Sequence, residues 1–154
     1  MTPAIKLLEK QKVPHQVLSY EHDPSNSDFG SEAASKLAVD PHYMFKTLVV
    51  RSDTGQLAMV LVSVADKVDL KKLAAALGTR KADLADPGLA EKTTGYVVGG
   101  ISPLGGRKRL PVYVDTSLIS LDTVYISAGK RGLQLKLSAV ALVTLLEATV
   151  APLV

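Results

Sequence analysis

The spacing of apolar residues changes repeatedly along the chain, and each change predicts an element. Ile5, Leu8 and Leu7 form a helical stripe behind Thr2-Pro3, a cap followed by a proline at the first helical position, so residues 4–11 read as a helix that Pro14 closes. Residues 16–20 read as a short strand carrying Val17 and Tyr20, and a polar loop follows over residues 21–28. Phe29 stands alone beyond that loop, and residues 31–39 read as a second helix, capped near Gly30-Ser31 and stopped by Asp40-Pro41. Residues 43–50 carry the clearest strand signal, with Met44, Lys46, Leu48 and Val50 alternating against Phe45, Thr47, Val49 and Arg51. A turn at residues 52–55 leads to a partner strand over residues 56–64. Leu70, Leu73, Ala74 and Leu77 stripe a helix that Gly78 ends. A short strand is expected at residues 81–84, a brief helix from Asp86-Pro87 to Glu91, and a strand end at Tyr96-Val97-Val98. Further strands are expected at residues 110–115, 124–127 and 133–137, and Ser138 caps a last helix over residues 139–148. Helices and strands alternate irregularly, with hairpins and without repeats or linkers, which predicts one α+β domain with a mixed sheet surrounded by helices.

Composition narrows the class. With 154 residues, 47% hydrophobic and 21% charged, the chain can bury a core of its own. No apolar run is long enough to span a bilayer, and the charged N-terminal stretch does not read as a signal peptide, so a cytoplasmic protein without membrane contact is expected. The absence of cysteine excludes disulfides, thiolate zinc sites and cysteine nucleophiles, and is consistent with a reducing compartment. His15, His22 and His42 fall in separate elements without metal-ligand spacing, so no metal is expected. The net charge of +3 leans mildly toward an anionic partner, while 5% aromatics and no tryptophan argue against a long single-strand nucleic-acid groove.

Three stretches carry candidate chemistry. In residues 95–105 the pair Gly99-Gly100 frees the backbone and Pro103 stiffens it, so main-chain N–H groups can hold a developing oxyanion or a phosphate. Arg107, Lys108 and Arg109 follow directly; the other reading of the whole stretch is a strand, a turn and a solvated charge run. Lys46-Thr47 is the second stretch: Lys46 interrupts an apolar row, either as an edge-strand lysine that blocks aggregation or as an ammonium at a pocket floor. The third is Ser127 to Gly132, a glycine-rich turn that bears Lys130 and Arg131. Phe29 either anchors its loop or covers a ligand. Residues 100–104 fail the serine-hydrolase elbow because Leu104 stands where glycine is needed, and no nucleotide-binding glycine loop occurs. Donors and cations without a side-chain base suit a substrate that brings its own nucleophile.

The motifs TPAIKLLEK, YEHDP, FG, FKTLVV, VDLKKLAAALG, ADP, TGYVVGGISPLG, KRLP and GKRGL, in this order over nearly the whole chain, resemble the YbaK family of Cys-tRNA(Pro) deacylases, within the superfamily of the prolyl-tRNA synthetase editing domain. The resemblance implies a single editing domain over residues 1–154, with a mixed sheet curved toward a barrel and no cofactor. It also implies hydrolysis of cysteine mischarged on tRNA(Pro), through attack of the cysteine thiol on its own ester. The family's GxxxP motif maps onto Gly99 through Pro103, taking in Gly100, Ile101 and Ser102, and its backbone positions the aminoacyl carbonyl. The family lysine maps onto Lys46, which engages the tRNA 3′ end. Tyr20, Phe29, Thr47 and Ser127 match residues lining the family pocket, and Gly129 and Gln134 fall in the same segment, Gln134 where members carry aspartate. Arg107, Lys108, Arg109, Lys130 and Arg131 are the expected contacts to tRNA phosphates. Aminoacylated tRNA is the implied partner, beside prolyl-tRNA synthetase. The competing readings are a non-catalytic module that binds tRNA or a synthetase, and a small-molecule esterase.

Overall fold

Eight strands divide into two sheets in the computed structural model, which describes residues 1–154. The elements run α1 (Pro3–Lys10), β1 (His15–Ser19), α2 (Phe29–Lys36), β2 (Phe45–Ser52), β3 (Leu57–Ser63), α3 (Leu70–Leu77), β4 (Ala82–Leu84), α4 (Pro87–Thr94), β5 (Val112–Asp115), α5 (Thr116–Ile119), β6 (Thr123–Lys130), β7 (Leu133–Ser138), α6 (Ala139–Leu146) and β8 (Thr149–Ala151). A 3-10 turn at Pro41–Tyr43 precedes β2. One sheet has the order β1-β7-β6 and is antiparallel. The other has the order β4-β2-β3-β5-β8; its first three strands are antiparallel, and β5 and β8 join in parallel. A single parallel bridge, Met44 to Tyr125, links the two sheets. The fold is thus the expected α+β domain with a mixed sheet, in two parts.

Alternation along β2 puts Phe45 and Val49 into the main core, with Leu61, Ile126 and Leu135. Val50 faces a smaller cluster with Val60, Leu73 and Leu153. Burying side chains of this size stabilises the fold by about 1.5–3 kcal/mol each. Two local features agree with the sequence reading: Thr2 Oγ1 accepts the Ile5 N–H, and Gly78 ends α3 at φ 71°. Asp69 adds a cap that reading did not single out, accepting the Lys71 and Lys72 N–H groups.

Three expectations are corrected. Tyr96-Val97-Val98 is not a strand. Gly95 caps α4 in the left-handed region, and the chain then folds locally: Val98 N–H donates to Glu91 Oε2 at 2.7 Å and Gly100 N–H to the Val97 carbonyl at 2.9 Å. Those donors are spent, so no ladder forms. Phe29 is not an isolated loop residue but the first residue of α2, which starts earlier than expected and ends at Lys36. Finally, α5 and β8 lie where no element was predicted, and both depend on Asp115. Its buried carboxylate accepts Ser117 N–H, Ser117 Oγ–H and Leu153 N–H. Burial alone would raise its pKa, but these bonds hold the carboxyl below its ordinary value.

Candidate functional site

Beyond the Met44–Tyr125 bridge, β2 and β6 part, and a cavity of about 320 Å³ opens in the wedge. Residues 44–49 form one wall. The start of α2 supplies Asp28, Phe29 and Gly30, and the β4–α4 segment supplies Leu84, Ala85, Pro87 and Ala90. Val98, Gly99 and Ile101 come from the glycine loop, and Ser127 and Gln134 from β6 and β7. On those two strands Ile126, Ala128 and Leu135 enter the main core, so alternation turns Ser127 and Gln134 to the opposite face. They sit directly opposite each other in register, and the bulge between Ser127 and Lys130 follows at once.

A few polar groups interrupt the largely apolar lining. Lys46 Nζ donates to the Asp66 carbonyl at 2.8 Å and pairs with no carboxylate. Burial lowers its pKa, against the opposing pull of the Asp28 and Asp66 charges. Thr47 Oγ1 and Gln134 Oε1 are buried without a hydrogen-bond partner. Leaving such an atom unmet costs about 1–3 kcal/mol, so two among the residues lining one cavity are a feature of the site rather than of the fold. Ser127 Oγ accepts the Gly129 N–H and has no base beside it. In the glycine loop the N–H groups of Gly99 and Ile101 have no backbone acceptor.

The loop geometry follows from close packing. Gly99 has φ 89°, and a Cβ there would lie 2.6–2.8 Å from the Phe29 ring. The Arg131 guanidinium sits 4.6 Å above the centre of that ring, and its Nε–H donates to the Val98 carbonyl at 2.8 Å. Phe29, the glycine loop and the β6–β7 turn are therefore clamped together at the cavity mouth. Behind them, buried Glu32 of α2 gathers the YEHDP loop: it meets His22 Nδ1 at 2.5 Å, the Asp23 N–H at 2.8 Å and Lys36 Nζ at 3.1 Å. Burial opposes its charge, but these partners outweigh it and bring the pKa from 4.5 down to about 2. Because the folded pKa lies below the unfolded one, the stabilisation is complete above pH 4.5 and is lost as pH falls toward about 2. Glu32→Gln is therefore expected to lower the melting temperature at pH 7, with the gap to the wild type narrowing below pH 4.5 and closing only as pH reaches about 2; thermal scans of both proteins check this. An unchanged gap would remove ionised Glu32 from the clamp.

Lys46, Thr47, Phe29, Gly99, Ile101, Ser127 and Gln134 thus meet in one cavity, while five other expected residues do not line it. Tyr20 packs with Ala33, Ala34 and Met44 behind the wall. A Cβ on Gly100 would meet the Lys130–Arg131 backbone at 2.9–3.0 Å, not the cavity. Ser102 is fully buried and its hydroxyl accepts the Leu104 N–H, so it is not available to a ligand in this arrangement. Pro103 borders a separate cavity of about 270 Å³. Gly129 lies against the Tyr96 ring. The expected basic patch is also divided. Arg107 donates to the Lys92 carbonyl, Lys108 and Arg109 border the second cavity, Arg109 lies 3.6 Å from Glu147, and Arg131 joins the clamp; Arg107, Lys108, Arg109 and Lys130 are all exposed. No group of three or more His, Asp or Glu side chains is placed to hold a metal. Asp28 and the Leu84–Ala90 wall were not expected; the Ala85-Asp86-Pro87 motif was the signal for the latter.

The model of the family described as "Aminoacyl-tRNA editing domain" matches residues 24–145, a span that contains every cavity residue. The chain belongs to this family. Within the editing-domain family it is 36% identical over 146 residues to an Enterococcus faecalis protein named "Putative Cys-tRNA(Pro)/Cys-tRNA(Cys) deacylase EbsC", covering 94% of this chain and 87% of that protein. It is 34% identical over 105 residues to a proline–tRNA ligase of Moorella thermoacetica, a match to 68% of this chain and 18% of the ligase. A crystal structure described as "a putative trans-editing enzyme for prolyl tRNA synthetase" superposes with a TM-score of 0.81 at 25% identity, covering 99% of this chain and 97% of that one. The editing-domain fold is therefore shared from end to end. No helix is long and apolar enough to cross a membrane.

Proposed function

We propose that this editing domain hydrolyses cysteine mischarged on tRNA(Pro), acting in trans beside prolyl-tRNA synthetase. The observation that carries the proposal is the cavity's chemistry. It offers free N–H groups at Gly99 and Ile101 and, at Lys46, an ammonium bonded to one carbonyl and to no carboxylate, while its hydroxyls at Thr47 and Ser127 have no base within hydrogen-bonding reach. Such a site stabilises charge but does not activate a nucleophile. Cysteine brings one.

In the proposed reaction the ester carbonyl lies against the Gly99 and Ile101 N–H groups. The substrate sulfur attacks the carbonyl carbon, and the N–H groups hold the oxyanion. The bond from carbon to the ribose oxygen then breaks, the thiol proton passes to that oxygen, and water opens the cyclic thioester to release cysteine. Donors of this kind are worth about 10²–10³ in rate each. Lys46 holds the terminal phosphate of the tRNA.

The test is release of free amino acid from Cys-tRNA(Pro) and Ser-tRNA(Pro) at equal concentration. Cysteine is expected to be released and serine, of similar size but with a poorer nucleophile, far more slowly. Equal rates would replace substrate-assisted attack with an activated water. No release from either, with tRNA binding retained, would make the chain a binding module; cleavage of simple esters without tRNA would make it a small-molecule esterase.

A further inference from the structure

We infer that Thr47 and Gln134 together seat the α-amino group of the aminoacyl ester, which fixes which way the amino acid lies in the cavity. The inference rests on the proposed substrate class and adds an orientation to it. Both side chains are more than nine-tenths buried, at 8% and 7% exposure, and both present an oxygen with no partner in the protein. They approach from different sheets, Thr47 from β2 and Gln134 from β7, and both line the cavity. Each oxygen is closed off and without a partner while both residues border the cavity, so a small rotation of either side chain toward it would call for a donor there, and one group with at least two donors would meet both. Of the groups at the end of an aminoacyl-tRNA near the scissile bond, the carbonyl has no donor, and a thiol or a ribose hydroxyl has one. The α-amino group has at least two N–H bonds in either protonation state. The threonine hydroxyl can also donate, so the seat accommodates the neutral amine as well as the ammonium.

Ala85, Ala90 and Ile101 supply a further, apolar part of the lining for the amino-acid side chain. That wall suits a small, weakly polar side chain and offers no charged partner. The amine seat would then exclude esters whose nitrogen is blocked, such as the growing peptide on tRNA during translation.

The experiment compares a hydrolysis-resistant, amide-linked cysteinyl-adenosine with its N-acetyl form, by equilibrium binding to the full chain. Wild type is expected to bind the free-amine compound at least tenfold tighter. Gln134→Leu and Gln134→Met are expected to erase that preference by weakening only the free-amine compound, with the melting temperature confirming that each variant is folded. If Leu at this buried site prevents folding, the Met variant and Thr47→Val supply the same comparison. Equal binding of the two compounds by wild type, failure of both to bind, or an unchanged preference in the folded variants would overturn the inference. Because binding is read without bond cleavage, a preference for the free amine together with no hydrolysis would overturn the proposed reaction and leave the amine seat standing.

Discussion

Gly99→Ala is expected to lower kcat/KM for Cys-tRNA(Pro) about 100-fold while the protein remains folded. Two independent costs converge on this position. The backbone sits at φ 89°, where a side chain is disfavoured by about 1–2 kcal/mol. The new Cβ would also fall 2.6–2.8 Å from Phe29, at the root of a ring that Arg131 covers and the Val98 carbonyl locks in place through the same guanidinium. Relief requires the glycine loop to back away from Phe29, carrying the Gly99 and Ile101 N–H groups with it, and displacement on the scale of an ångström is enough to lose two orders of magnitude in rate. Ser102→Ala is the control. Its hydroxyl only accepts the Leu104 N–H at 3.3 Å inside the protein, so most activity should survive. The reverse pattern, with Gly99→Ala active and Ser102→Ala dead, would assign the chemistry to a side chain. Gly100→Ala is a poorer probe, because its Cβ strikes the Lys130–Arg131 backbone and perturbs folding and site together.

Lys46→Ala is expected to raise KM for the tRNA substrate roughly 10- to 150-fold, the loss of one charge-assisted hydrogen bond of about 1.5–3 kcal/mol. The melting temperature should hold or rise. The ammonium is half-buried, makes one bond to the Asp66 carbonyl and has no ion-pair partner, and the Asp28 and Asp66 charges offset its desolvation only in part. Steady-state kinetics and a thermal scan on the same preparation separate the outcomes. Wild-type kinetics in a folded variant would return Lys46 to the role of an edge lysine. The structure gives that alternative some footing, since β4 pairs with β2 only from Val50 to Ser52 and leaves the strand open at Lys46.

Much of this was legible because local rules govern it. The caps at Thr2 and Ser138, the stop at Gly78, the turn at Gly55 and the alternation along β2 are short-range effects, and the sequence states them directly. Lys46 could be singled out because a cation breaks a two-residue period that nothing local explains. The illegible parts depend on residues far apart in the chain. Asp115 and Leu153 create α5 and β8 between them across 38 residues. Tyr96 looked like a strand residue because its burial was readable but its partner, the Leu104 carbonyl at 2.7 Å, was not. Arg107, Lys108 and Arg109 adjoin in sequence and stay exposed, whereas Arg131, beside exposed Lys130, is drawn to Phe29, a contact no local pattern announces. Thr47 and Gln134 are ordinary polar residues on strands, and only the wedge between the sheets shows that neither has a partner.

The glycine loop is held on every side. The Gly105 position abuts the Pro3 and Ala4 backbone, the Tyr96 hydroxyl reaches Leu104, Glu91 takes the Val98 N–H, and the α1 cap threads Thr2 Oγ1 to the Ala128 carbonyl. A segment tied to α1, α4 and β6 is expected to melt only with the rest of the domain. Heat should therefore not silence the domain while leaving it folded: the inactivation curve and the unfolding curve should coincide, and proteases should find no early cut between residues 96 and 105.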